Sequence, residues 1–189
     1  MRIVAYAIVI ATLFVSLTAQ AAKETYRGAL RHATHRGQTY DANTWDAKVI
    51  WYATFFDGNF RRAFAKQHAK IHYMGPAEAA QWTADQEYEQ SRAWEFFVSI
   101  YTKRDYKKFS LDSDTFWETF LTTGSGDVVW PDSIEQVSVT PYEKVMYRHI
   151  NRWSKCYIVK FPKVDIGAPV YLTLRSIVGQ SSLLWFNPQ

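Results

Sequence analysis

The chain has 189 residues, a formal net charge of +4 and an aromatic share of 17%. Charges of both signs are interspersed, which argues against the clustered basic face of a nucleic-acid binder. Cys156 is the single cysteine, which excludes an intramolecular disulfide, so stability must come from burial alone.

Arg2 is followed by an uncharged apolar run from Ile3 to Leu17 and by Ala19-Gln20-Ala21. A cation, an apolar core and a small-x-small site form the secretory pattern, so residues 1–21 are expected to be a signal peptide cut after Ala21. The run is about 15 residues, short of the roughly 20 that span a bilayer. The alternative is an uncleaved anchor that holds the protein at the membrane. The expected location is outside the cytoplasm, periplasmic or secreted. Removing Arg2 with the signal lowers the net charge from +4 to +3.

Residues 22–42 carry Arg27, Arg31 and Arg36, two glycines and almost no apolar periodicity. They read as a flexible basic tether, because a segment with little apolar surface to bury stays mobile. The alternative is a basic strip against anionic lipid headgroups. Residues 43–189 are then a single α+β domain, helical over 43–92 and β-rich over 94–187.

Asn43 and Thr44 are good N-caps, Asp46 suits a first turn, and Trp45 to Phe56 reads as a first helix. Asn59 to Met74 has the clearest helical period, with Phe60, Ala63, Phe64, Gln67, Ile71 and Met74 at three- and four-residue steps. Gly75-Pro76 is expected to end it with a left-handed glycine and to start the next helix with proline. That helix, Pro76 to Ser91, places Ala77, Ala80, Ala84 and Tyr88 on one side and Trp82 towards the other.

From Phe96 the pattern changes to period two. Strands are expected at 96–101, 116–121, 128–130, 134–139, 157–161, 170–175 and 183–186, separated by turns such as Thr123-Gly124-Ser125-Gly126-Asp127. Tyr142 to Trp153 is ambiguous. The expected fold is α+β: an N-terminal helical hairpin packed on an antiparallel β-sandwich-like unit.

Candidate chemistry is sparse. His68 and His72 stand four apart on a helix, so their imidazoles share one face and form a candidate metal pair. No acid stands beside His68, and a third ligand would have to come from Glu78, Asp85 or His149. His32 and His35 are a weaker pair. Cys156 with His149 could form a thiolate and its base, but a cysteine opening an apolar strand is usually a small buried hydrophobe. Asp112-Ser113-Asp114 resembles a calcium loop only at its start, since Thr115-Phe116-Trp117 breaks the ligand pattern. Glu118 shares a strand face with Phe116 and Phe120, and needs a partner if that face is buried.

The aromatic residues of the β-rich half offer another kind of site. Trp117, Glu118, Trp130, Trp153, Tyr157 and Trp185 are the candidate surface for a protein or glycan partner in the cell envelope, with the rings otherwise filling the core. The sequence implies no cofactor and no nucleic-acid partner, and membrane contact only if the N-terminal segment is retained. The expected function is therefore an exported, non-enzymatic binding or assembly module acting through an aromatic β surface. The alternatives are a metal site at His68 and His72, or a membrane-proximal accessory protein.

Overall fold

A computed structural model of the chain describes residues 25–40, 47–102, 110–111, 117–165, 167–176 and 179–185. The signal segment, the caps at Asn43 and Thr44, and the Asp112-Ser113-Asp114 turn lie outside them. Among the described residues no helix is long and apolar enough to cross a membrane.

The first element lies where a tether was expected. Helix α1 (Tyr26–Ala33) is capped by the Thr25 side chain, which accepts from the backbone N–H of Gly28. Its buried stripe is Ala29, Leu30 and Ala33. Two alanines and one leucine are too small a signal to show as apolar periodicity beside two arginines. Strand β1 (Thr34–Tyr40) follows directly and pairs antiparallel with β2 (Ala47–Phe55). The expectation of a flexible segment over 22–42 thus fails for residues 26–40.

The first expected helix fails as well, because Trp45–Phe56 contains β2 rather than a helical turn. Val49, Trp51, Ala53 and Phe55 alternate into one buried layer, and Thr54 is buried on the other face. A strand buried on both faces loses clean alternation and imitates a helix over a short window. The β-branched and aromatic content was the better guide.

Helix α2 (Gly58–Ile71) and helix α3 (Pro76–Arg92) form the expected hairpin. Asp57 caps α2, its carboxylate accepting from Phe60 N–H at 2.7 Å. The left-handed residue after α2 is Tyr73, with φ of 53°, while Gly75 has φ of −68° and serves as the N-cap of α3. Pro76 opens α3, where its missing N–H costs nothing. Helix α3 buries no residue fully, and Ala77, Ala80, Ala84 and Tyr88 face solvent while Trp82 turns inward.

Strands β3 (Ala93–Thr102), β4 (Trp117–Thr122), β5 (Val128–Val129) and β6 (Ser133–Val137) precede α4 (Pro141–Met146), which resolves the ambiguous stretch as one short helix and turns. Strands β7 (Lys155–Pro162), β8 (Val170–Ser176) and β9 (Gly179–Trp185) complete the described elements. Among the described residues all ladders are antiparallel, in a five-stranded sheet of order β1-β2-β3-β7-β6 and a four-stranded sheet of order β5-β4-β8-β9. The fold is α+β, as expected, with the two sheets face to face and the helices on the outer face of the larger one.

Between the sheets lie Trp51, Phe55, Phe96, Tyr157, Phe161, Leu172 and Trp185. The sheets are tied near β1 and β9 by two indoles: Trp51 donates to Ser181 Oγ at 3.0 Å, and Trp185 donates to the Ala33 carbonyl at 3.3 Å. A second cluster joins Leu30, Phe60, Phe97, Met146 and Ile150 between the sheet and the helices. The molecule therefore has three layers, helix on sheet on sheet.

Candidate functional site

The expected aromatic surface divides once its residues are placed. Trp117, Tyr157 and Trp185 belong to the core between the sheets, because their strand positions alternate inward. They cannot form an outward patch. Trp130 and Trp153 are exposed, at 52% and 61%. They flank opposite ends of the β6–β7 ladder, whose register runs from Ser133 with Lys160 to Val137 with Cys156. Trp130 lies against Phe120, and Trp153 lies beneath the guanidinium of Arg152. Glu118 is half-exposed and paired with Arg175 at 2.7 Å, so its strand face is solvated and Phe120 is covered by Trp130 and Arg175.

The structure instead gathers rings in the outer layer. A pocket of about 300 Å³ opens between α2, α3 and α4 over the outer face of β3, β6 and β7. Phe56 and Phe64, Trp82, Phe97, and Tyr142 and Tyr147 supply its aromatic walls. The sequence hints at these walls only as a helical stripe ending in histidines, since the elements that meet there are 60 or more positions apart in places, as His68 and Tyr142 are at 74.

His68 stands at the centre of this arrangement. Its ring stacks on Trp82, with centroids 4.3 Å apart and planes 14° from parallel. Its Nδ1 is hydrogen-bonded to the Tyr142 hydroxyl at 2.6 Å. Burial and the neighbouring His72 lower the His68 pKa, which favours the neutral imidazole. Burial and Glu143 push the Tyr142 phenol up to about 12. The indole N–H of Trp82 is buried without an acceptor among the described residues. An orphaned buried donor costs about 1–3 kcal/mol, so an acceptor brought by a ligand has something to gain there.

Beneath the pocket lies a buried ion pair. Arg61 Nη2 meets Glu95 Oε2 at 2.8 Å, with side chains only 2% and 12% exposed. Arg61 also donates to the Phe56 carbonyl at 3.1 Å and to Gln86 Oε1 at 3.2 Å, and its guanidinium lies over the Phe56 ring. Sequence inspection missed this pair, because Arg61 sits within one turn of the α2 N-terminus and resembles a solvated charge. Glu143 is committed as well: its carboxylate accepts from the Thr140 backbone N–H at 2.8 Å and bonds the Thr140 hydroxyl, a capping box at the start of α4.

His68 and His72 do come together, with ring centroids 4.2 Å apart. Among the described residues no group of three or more His, Cys, Asp or Glu side chains could hold a metal. His149 lies elsewhere, stacked on Tyr52, and burial lowers its pKa to about 4. His35 packs on Trp185, whereas His32 is exposed in the last turn of α1. Cys156 is fully buried and its thiol is pushed up to about 12, so at neutral pH it is a small apolar filler rather than a thiolate.

No family model matches the chain, and neither a curated protein nor a solved structure is significantly similar to it.

Proposed function

We propose that the protein is an exported, non-enzymatic binding module whose ligand seat is the ring-lined pocket between α2, α3 and α4. The observation that carries the reading is the Trp82–His68–Tyr142 cluster: a stacked indole and imidazole with a hydrogen-bonded phenol, the same indole's buried N–H lacking an acceptor among the described residues. An apolar cavity with a few polar groups is the common form of a small-ligand site. At about 300 Å³ the cavity suits one or two rings. The ligand class is a compact molecule, or the projecting end of an envelope partner, with a flat apolar body and one hydrogen-bond acceptor.

Binding is favoured over catalysis because the ionisable groups are already committed. Glu95 neutralises Arg61, Glu143 caps α4, and His68 is hydrogen-bonded to Tyr142. The export reading rests on the cation, apolar run and Ala19-Gln20-Ala21 of the N-terminus.

Calorimetric titration with 2-naphthol, a flat apolar body whose hydroxyl oxygen can accept, tests this proposal. Saturable binding is expected, weakened at least tenfold by Trp82→Ala and by Phe64→Ala, each change removing a ring wall. Trp130→Ala and Trp153→Ala should leave it unchanged. Absence of binding to the folded protein, or loss on changing Trp130 or Trp153, would contradict the proposed seat.

A further inference from the structure

A second surface has the opposite chemistry. A cleft of about 820 Å³ runs between α1, the C-terminal half of α2, and α4, and a cleft of about 320 Å³ adjoins it, sharing Arg27, Leu30 and Arg148. Six cations line the two: Arg27, Arg31, Arg36, Lys70, Lys144 and Arg148. All six are exposed. Neither lining includes an acidic side chain among the described residues, and the ion pairs found among those residues involve none of the six. Glu143, beside Lys144 in sequence, is held by Thr140.

Six cations around two adjoining clefts, with no acid in either lining among the described residues, make a site for a multiply charged anion, not a solvated face with alternating signs. Two further facts select the anion. Val145, at the same opening, is 59% exposed, and Leu30 forms part of its floor, so the site offers apolar surface between its charges. Thr25, which caps α1, also lines the larger cleft, and the chain reaches it only a few residues after the apolar run of residues 3–17. In the sequence the cleft's first residue, Thr25, stands eight positions after Leu17, so a retained apolar run would keep the cleft close to a membrane.

We propose that this cleft binds the phosphate headgroups of an anionic phospholipid surface, separately from the ring-lined pocket. Arg side chains engage phosphate bidentately and Lys acts as a point charge. Each cation at such a surface strengthens binding by a factor of about five.

The test uses protein isolated with its native N-terminus and vesicles of phosphatidylcholine with or without phosphatidylglycerol. The proposal predicts binding that depends on phosphatidylglycerol and weakens in high salt. Joint replacement Arg27→Gln, Lys70→Gln and Arg148→Gln should reduce that dependence on the order of 100-fold. Replacing Arg92, Arg152 and Lys163 with Gln removes the same charge outside the clefts and should reduce it much less. Equal loss in both variants would reduce the effect to net charge and overturn the proposal. So would equal binding to both vesicle types that the first variant leaves unchanged. Saturable binding of inorganic phosphate that the first variant abolishes, with no preference for phosphatidylglycerol, would assign the cleft to free phosphate and overturn the lipid proposal.

Discussion

Arg61 and Glu95 bind the helical hairpin to the sheet through one buried pair, 2.8 Å apart. Breaking such a pair from one side leaves an uncompensated charge, which costs about 3–5 kcal/mol. Glu95→Ala should therefore lower the unfolding free energy by that order in urea titration, whereas Glu118→Ala, which breaks the exposed pair with Arg175, should cost about 1 kcal/mol or less. His149 makes a pH prediction. Burial holds its folded-state pKa at about 4, below the ordinary 6.5. Falling pH thus protonates the unfolded chain first. The His149 contribution is complete above pH 6.5 and is lost as pH falls towards 4, on the order of 3 kcal/mol in all. In His149→Phe, which keeps a ring on Tyr52, the loss of stability between pH 7.5 and 4 should be smaller than in the parent. An equal loss would show that this group does not contribute.

The elements differ in how well the sequence announces them. The hairpin and the later strands are legible because α2 has a helical stripe and β8 alternates cleanly, with Val170, Leu172 and Leu174 buried. Strand β1 is not legible, since its inward residues are His35, Gly37 and Thr39, none of them a large apolar group. The reason is Trp51, which pairs opposite Gly37 and fills the space beside it. A Cβ at Gly37 would lie 2.2 Å from Trp51 Nε1 and 2.7 Å from Ser181 Oγ. Trp51 is fully buried, so it has little room to yield. Gly37→Ala is expected to cost at least about 1–3 kcal/mol by overpacking, read as a fall in Tm, with the Trp51 indole resonance displaced. Helix α3 makes the converse case, having no fully buried residue. Its amides should exchange with solvent well before those of β3 and β7, because its opening exposes little apolar surface. Equal protection would mean that α3 is held more firmly than its burial indicates.

At the scale of the whole molecule, three layers make the N-terminal residues part of the fold. Tyr26 donates its hydroxyl to the Met146 carbonyl at 3.0 Å, and Ala33 accepts from Trp185. Truncation through Ala33 should therefore abolish cooperative unfolding or lower Tm sharply, whereas cleavage after Ala21 removes none of these bonds. The same layering explains why the candidate site was half visible. His68 and Trp82 lie on the two helices of one hairpin, but Tyr142 arrives from a short helix beyond four further strands. No local spacing encodes that meeting. The aromatic excess was legible as composition, and its division between the sandwich core and the outer pocket required the register of the strands.

The Trp82 indole N–H reports most directly on the pocket. In a ¹H–¹⁵N spectrum the chain's 8 tryptophans each supply an indole resonance, and Trp82→Phe identifies the one concerned. Addition of 2-naphthol should shift the Trp82 resonance as the orphaned donor gains an acceptor, and leave those of Trp130 and Trp153 in place. A Trp82 resonance that stays fixed while Trp130 or Trp153 moves would contradict the account.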